Sequence, residues 1–183
     1  MDNSTDGVTL LAVFINDVLM EIQKMNVSQK DVENIIEGHD ISNPYVHVPI
    51  KIYNDLCTWV EKNLGEQAII QVGKNIGETV YPALIENGII GADAKPIEIM
   101  EGLVIAAASM IKDHKERGWE IVSENKDSIV MKRTQTFNSK LQIGLLNGLV
   151  SKCALVKNIR VNYLKQVDKG DEYDEYIIQW EYI

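Results

Sequence analysis

Three histidines, two cysteines and a few glycine-rich or acidic stretches are the residues of this chain whose types could do chemistry. A nucleophilic triad needs a histidine beside a serine or cysteine, with an acid to orient it. His39, His47 and His114 fall in a loop, in an extended segment and at a charged helix end, and none has such neighbours in sequence. Cys57 and Cys153 are far apart and lack the spacing of a metal or redox pair. Each lies on the apolar side of a helical pattern, where a thiol acts as a small buried hydrophobe. No set of histidines and carboxylates has zinc-site spacing, and His114 and Glu116 are too close in sequence to share a helix face. Gly73-Lys74-Asn75-Ile76-Gly77-Glu78-Thr79 looks superficially like a phosphate loop, but it lacks the Gly-Lys-Ser/Thr ending and lies inside a helical period. Gly170-Asp171-Glu172-Tyr173-Asp174-Glu175 is acidic without the ligand rhythm of a calcium loop, and reads as a solvated turn. The chain therefore presents no catalytic site and no metal site, and is read as non-enzymatic.

Small residues inside helical stretches say more. Gly73 and Gly77 are four apart on one helix, Gly144 and Gly148 four apart on another, and a third carries Gly102, Ala106, Ala107, Ala108 and Ser109. An interior helical glycine costs about 1 kcal/mol relative to alanine, so something must compensate each one. Two accounts stay open. Helix backbones, or a helix and the sheet, approach closely at these points, or the small residues leave space for a flat or bulky ligand among apolar walls.

The elements that position these residues follow from periodicity. Val8, Leu11, Ile15, Val18, Leu19 and Ile22 predict a first helix over about 5–25. Leu10, Val13 and Phe14 make its first half apolar nearly all round, which implies deep burial or a partner. Ser28 with Asp31 resembles a capping box for a short helix ending at Gly38. Two prolines keep 43–49 extended. A helix with Tyr53, Leu56, Val60 and Leu64 on one side is interrupted by Gly65, and a longer one over about 66–86 stops at Asn87-Gly88. Pro96 opens a helix to about 117, whose closing Lys112, His114, Lys115 and Arg117 suit the negative end of the dipole. The period then changes to two. Strands at 119–123 and 128–134 form a hairpin, Asn138 caps a helix carrying Leu141, Leu145, Leu149 and Cys153, and strands at 158–167 and 173–182 close the chain. Tyr176, Ile178, Trp180 and Tyr182 share one face of the last strand. The fold class is α+β, with an N-terminal helical part followed by a β-β-α-β-β four-stranded antiparallel sheet, in a single domain spanning 1–183.

Composition narrows the partners. The chain has 183 residues, 45% hydrophobic and 25% charged, with a formal net charge of −9, and its basic stretches at 112–117 and 132–133 are short and mixed with acids. That argues against nucleic acid and against anionic membranes. The apolar run at 8–15 is far too short to span a bilayer, so membrane insertion is not expected. Met1 leads into the polar run 2–6 without a basic region or cleavage site, which predicts a cytoplasmic protein without a signal peptide.

Three phrases carry a resemblance: Gly65-Glu66-Gln67-Ala68-Ile69-Ile70-Gln71-Val72-Gly73 in mid-chain, Gly144-Leu145-Leu146-Asn147-Gly148-Leu149 before the final strands, and the Gly170-Asp171 turn leading into Ile177-Ile178-Gln179-Trp180. With the order of elements, the chain resembles the superfamily of heme nitric-oxide-binding sensor domains, 4-vinyl-reductase-type domains and TRAPP vesicle-tethering subunits, and is most similar in layout to the heme sensors. In those sensors a helix before the sheet supplies the histidine on heme iron, and a Tyr-x-Ser-x-Arg motif grips the propionates. The matching helix here reads Leu103-Val104-Ile105-Ala106-Ala107-Ala108-Ser109-Met110, aliphatic where the histidine should fall, and the matching motif segment reads Lys132-Arg133-Thr134-Gln135-Thr136. Lys132 and Arg133 remain as groups that could pair with carboxylates. The clustered cysteines of the vinyl-reductase-type domains are not reproduced.

The resemblance implies a sensory or ligand-binding domain with an apolar pocket between the helices at 66–86 and 96–117. Its walls are expected to include Ile69, Gly73, Ile76, Gly77, Leu103, Val104, Ala107 and Ile111. The ligand would be a small hydrophobic molecule or a tetrapyrrole, with the signal passed in trans to a downstream signalling protein. Heme as cofactor enters only through the resemblance, with His114 as the alternative iron ligand because it is the one histidine on the predicted helix. The competing reading is a homodimeric interaction scaffold with a filled core. Under either reading the apolar first helix and last strand predict a homodimer.

Overall fold

Apolar residues recur at helical spacing over most of the first 110 positions and at alternate positions afterwards, and the computed structural model, which describes residues 4–25, 27, 30–134 and 137–183, divides at that change. The chain runs β1 (Thr9–Leu11), α1 (Val13–Lys24), α2 (Lys30–Ile36), β2 (His47–Pro49), α3 (Ile50–Leu64), α4 (Glu66–Glu86), α5 (Pro96–Met110) and β3 (Ile111–Lys112). It continues with β4 (Trp119–Asn125), β5 (Ser128–Arg133), α6 (Ser139–Ser151), β6 (Val156–Lys165), a 3-10 turn (Val167–Lys169) and β7 (Asp174–Tyr182). The α+β class and the β-β-α-β-β tail stand as expected. The four-stranded sheet is antiparallel in the order β4-β5-β7-β6. No helix among the described residues is long and apolar enough to cross a membrane.

Several boundaries follow local chemistry. Gly65 adopts φ +91°, which L side chains rarely take, and so separates α3 from α4. The Asn138 side chain accepts from the Leu141 amide and starts α6. Lys140 then ties that end of α6 to the α3–α4 corner, with its ammonium 2.6 Å from Glu61 and 3.2 Å from Glu66. The cap proposed at Ser28 lies outside the described residues, as do Gln135 and Thr136 of the motif segment.

Two expectations are corrected. The first helix does not begin near 5, because Thr9–Leu11 forms the centre of a second, three-stranded antiparallel sheet, β2-β1-β3. Leu10 pairs with Val48 on one side and Ile111 on the other, and is fully buried. The same pairing ends the fifth helix at Met110 rather than 117, since Ile111 and Lys112 are taken into β3 opposite Leu10 and Thr9. The residues after β3 therefore do not serve a helix dipole. Arg117 instead donates from Nε to Asp113 at 2.7 Å, in a nearly buried ion pair, and from Nη2 to the Ser4 carbonyl at 2.9 Å. That bridge ties the loop to the start of the described chain.

The core is one cluster running through both sheets and all the helices. Its tightest seam joins α4 to α6, where glycines from each helix sit against the other's backbone. A Cβ on Gly73 would lie 2.0 Å from the Leu141 carbonyl oxygen, and one on Gly77 2.4 Å from that of Leu145. In return, Cβ atoms on Gly144 and Gly148 would lie 1.9 Å and 2.1 Å from the carbonyl oxygens of Ile70 and Lys74. Glycines four apart on each helix cut grooves that the other helix fills. Of the two accounts of these small residues, close backbone approach explains all four. Of the apolar surfaces behind the expected dimer, Val8, Leu10, Tyr176, Ile178 and Trp180 are buried within the chain, while Met20 of α1 and Tyr182 of β7 are exposed.

Candidate functional site

Period-two alternation along β5 sends Ile129, Met131 and Arg133 to the inner face of the sheet, so a guanidinium stands in a row of core side chains. Arg133 is 4% exposed. Its guanidinium carbon is 3.8 Å from the ring centre of Phe137 and 4.8 Å from that of Trp119, so aromatic faces replace the water it has lost. Asp174 stands opposite it across the β5–β7 ladder. The Asp174 oxygens accept from the Ser139 hydroxyl at 2.5 Å and the Val167 amide at 3.0 Å. Burial pulls the Arg133 pKa down to about 10, opposed by Tyr176, Tyr53 and Asp174, and the group stays cationic at neutral pH.

Arg133 lines a partly open cavity of about 420 Å³ between α1, α3, α4, α5, β3, β4, β5 and the start of α6. Apolar walls come from Phe14, Ile76, Leu84, Leu103, Ala107 and Leu145, among others. The aromatic side runs continuously, with Phe14 edge-on to Tyr53 at 6.3 Å and Tyr53 to Phe137 at 5.3 Å. Two further polar groups share the walls. Gln142, in the first turn of α6, is 2% exposed, and its amide oxygen has no hydrogen-bond partner among the described residues. Asp17 of α1 has its pKa raised to about 6, first by burial and then by Glu21 one turn on. Glu21 is itself held by the Asn75 amide and the Lys24 ammonium.

Of the residues expected to wall a pocket, Ile76, Leu103, Ala107 and Ile111 line this cavity, Ile111 from β3 rather than from a helix. Ile69 is fully buried in the core and Val104 half-buried on α5, and neither lines it. Gly73 and Gly77 face α6 instead, for the steric reason already given. His114 is exposed beyond β3, off the helix and away from the cavity, so the position expected for an alternative iron ligand is not available to it. The other histidines are also elsewhere. His39 is exposed, and His47 shares a 3.3 Å contact with the Thr9 hydroxyl on the small sheet. Among the described residues no group of three or more His, Cys, Asp or Glu side chains could hold a metal ion. Sequence reasoning missed Asp17, Tyr53, Trp119, Phe137 and Gln142. Arg133 had a legible signal, its place in the inward register with Ile129 and Met131.

Nothing among family models or curated proteins matches the sequence. Solved structures do match in fold. An H-NOX protein from S. oneidensis in the Fe(II)NO ligation state has a TM-score of 0.64 at 13% identity, over 94% of this chain and 99% of that one. The Fe(II) unliganded H-NOX protein from K. algicida has a TM-score of 0.60 at 11% identity, over 95% and 98%. An H-NOX variant from T. tengcongensis has a TM-score of 0.60 at 14% identity, over 92% and 95%. The chain thus has an H-NOX-like fold along nearly its whole length. These neighbours lend no support to the vinyl-reductase or TRAPP branches of the superfamily.

Proposed function

We propose that this protein is a non-enzymatic sensor domain that holds one apolar organic ligand in the cavity behind α5 and signals to a separate protein through altered helix packing. The observation that carries this reading is the cavity itself. At about 420 Å³, with mostly apolar walls and a few placed polar groups, it has the character of a small-molecule site. The alternative, a scaffold with a filled core, requires that space to be closed.

The similarity to H-NOX structures makes heme the first ligand to test against these walls, and the walls do not fit it. Heme iron is held by His, Cys, Met or Tyr. Among the described lining residues only Tyr53 and Met110 could donate. Burial drives the Tyr53 pKa far up, which keeps the phenol neutral and a poor iron ligand. Met110 has no histidine across the cavity to complete an axial pair. The two carboxylates of a porphyrin would meet a single cation, Arg133, in a space that already holds Asp17.

Native mass spectrometry of protein purified from cells, read beside its absorption spectrum and a titration with the neutral dye Nile red, tests the reading. One ligand mass or one dye site per chain is expected, without a Soret band, and Ala107→Phe should remove the site while leaving the melting temperature unchanged or raised. Absence of both ligand and dye site, or a melting temperature that collapses in Ala107→Phe, would return the interpretation to the scaffold.

A further inference from the structure

We propose that the cavity selects an apolar amine, a molecule with a hydrocarbon or aryl body and one protonated nitrogen, and that Asp17 holds that nitrogen beside the rings of Phe14 and Tyr53. The inference rests on the cavity being a ligand site, and adds the chemical class of what enters it.

Asp17 is the charge on these walls that the described residues leave unanswered. Burial and Glu21 both push its pKa up, to about 6, and no cation or hydrogen bond pulls it back. At neutral pH it is nevertheless mostly ionised. Glu21 does not compete for a ligand cation, because the Lys24 ammonium and the Asn75 amide already hold it. Arg133, the one cation among the described lining residues, is engaged elsewhere: Phe137 and Trp119 cover it, and Asp174 stands opposite it across the β5–β7 ladder. The aromatic run separates the two charges. Arg133 takes the Phe137 end, while Asp17 follows Phe14 by three residues on α1, the spacing that puts both on one side of a helix. Tyr53, between Phe14 and Phe137, registers both: burial, then Cys57 and Asp17, raise its phenol, and Arg133 opposes them. A carboxylate beside aromatic rings that carry no cation is a setting that attracts an ammonium group. Gln142 is the independent observation. It is 2% exposed, lines the same cavity, and its amide oxygen has no partner among the described residues. The cavity therefore holds two acceptors without donors, and calls for a ligand that brings hydrogens on nitrogen rather than a further acceptor.

The test compares decylamine, 1-decanol and decanoate as competitors for Nile red at pH 7.5, where a primary amine is protonated. The proteins are the parent, Asp17→Asn, and Glu37→Gln, which removes an exposed carboxylate away from the cavity. In the parent the amine should bind about tenfold or more tightly than the alcohol, in line with a hydrogen bond to a charged group, and the acid more weakly than the alcohol. In Asp17→Asn the amine should fall to the level of the alcohol, with the alcohol unchanged, while in Glu37→Gln the advantage should remain. A second reading needs no variant: the ¹³C-labelled Asp17 carboxyl of the parent should titrate at lower pH with decylamine bound than with 1-decanol bound. Equal affinity of amine and alcohol, an advantage that survives Asp17→Asn or vanishes in Glu37→Gln, or a carboxyl titration unmoved by the amine overturns the inference while leaving the cavity reading intact. If Nile red and all three competitors fail to bind, the cavity reading falls with it.

Discussion

Gly144→Ala puts one methyl group into the tightest contact of the molecule, and the structure sets its cost. The new Cβ would stand 1.9 Å from the Ile70 carbonyl oxygen and 2.6 Å from the Lys74 nitrogen. Ordinary contact requires about 3.5 Å, so α4 must retreat by roughly 1.5 Å. Both obstacles are backbone atoms of a regular helix, and no rotamer change clears them. Retreat strips contacts along the whole seam, because a gap of about 0.5–1 Å already forfeits a quarter to a half of each dispersion well. Overpacking of this kind costs 1–3 kcal/mol or more, and backbone obstacles place it at the upper end. Against that, alanine gains about 1 kcal/mol of helix propensity. The net is a loss of about 2 kcal/mol, or roughly 4–8 °C in melting temperature for a chain of this size. Thermal melts followed by far-ultraviolet circular dichroism measure it, with Gly118→Ala as control, since a Cβ there meets nothing within 4 Å. Adding Gly73→Ala should cost less in the Gly144→Ala background than alone, because the seam has already opened. A Gly144→Ala protein that melts at or above the parent would refute the reasoning.

Asp17→Asn should stabilise the protein at neutral pH and make no difference near pH 4. The folded pKa is raised from 3.8 to about 6, so the folded state binds the proton more tightly and stability falls as pH rises through that window. The gain of the variant should therefore grow between pH 4 and 6 and level off at about 1–3 kcal/mol; urea titrations of both proteins across that range check it, and a gain independent of pH would contradict it. Amide hydrogen exchange with and without bound Nile red should show slower exchange in α5 and β3, with α4 and α6 little changed; the reverse pattern would mean that the wrong wall moves.

Much of the fold is legible because its signals are local. The stripe of Ile69, Val72, Ile76, Val80 and Leu84 between Gly65 and Asn87-Gly88 marks α4 from end to end. Asn138 marks the start of α6, and the change of period marks the hairpin β4–β5. β1 and β3 were missed for the opposite reason. Strands of three and two residues carry no period, and their pairing, Thr9 with Pro49 and Lys112, is remote in sequence. Val8 to Ile15 fits a helix as well as a strand until those partners are known. The site divides the same way. Its helical wall, Ile76, Leu103 and Ala107, follows from small and apolar residues at helical spacing. Its aromatic and charged wall is assembled from α1, α3, β4, β5 and α6, and no single stretch of sequence displays it.

The four interlocked glycines also decide which wall of the cavity can yield to a ligand. They leave α4 no room to slide on α6, and Lys140 and Asn138 pin the start of α6 to Glu61 on α3. The wall formed by α4, α6 and the large sheet is therefore a fixed frame. α5 is held differently. A Cβ on Gly102 would meet the Ile90 side chain, which can give way where a backbone cannot. α5 passes without a break into β3, β3 pairs with β1, and β1 leads through Ala12 into α1, which supplies Phe14 and Asp17 to the cavity. The two softer walls are thus joined by the small sheet, and displacement of one is carried to the other through the Leu10–Ile111 pairing. The outward side of α5 bears Ile105, 57% exposed, so a shift of that helix would reach the surface there. The cavity thus lies between a fixed half, α4, α6 and the large sheet, and a softer half, α5, the small sheet and α1.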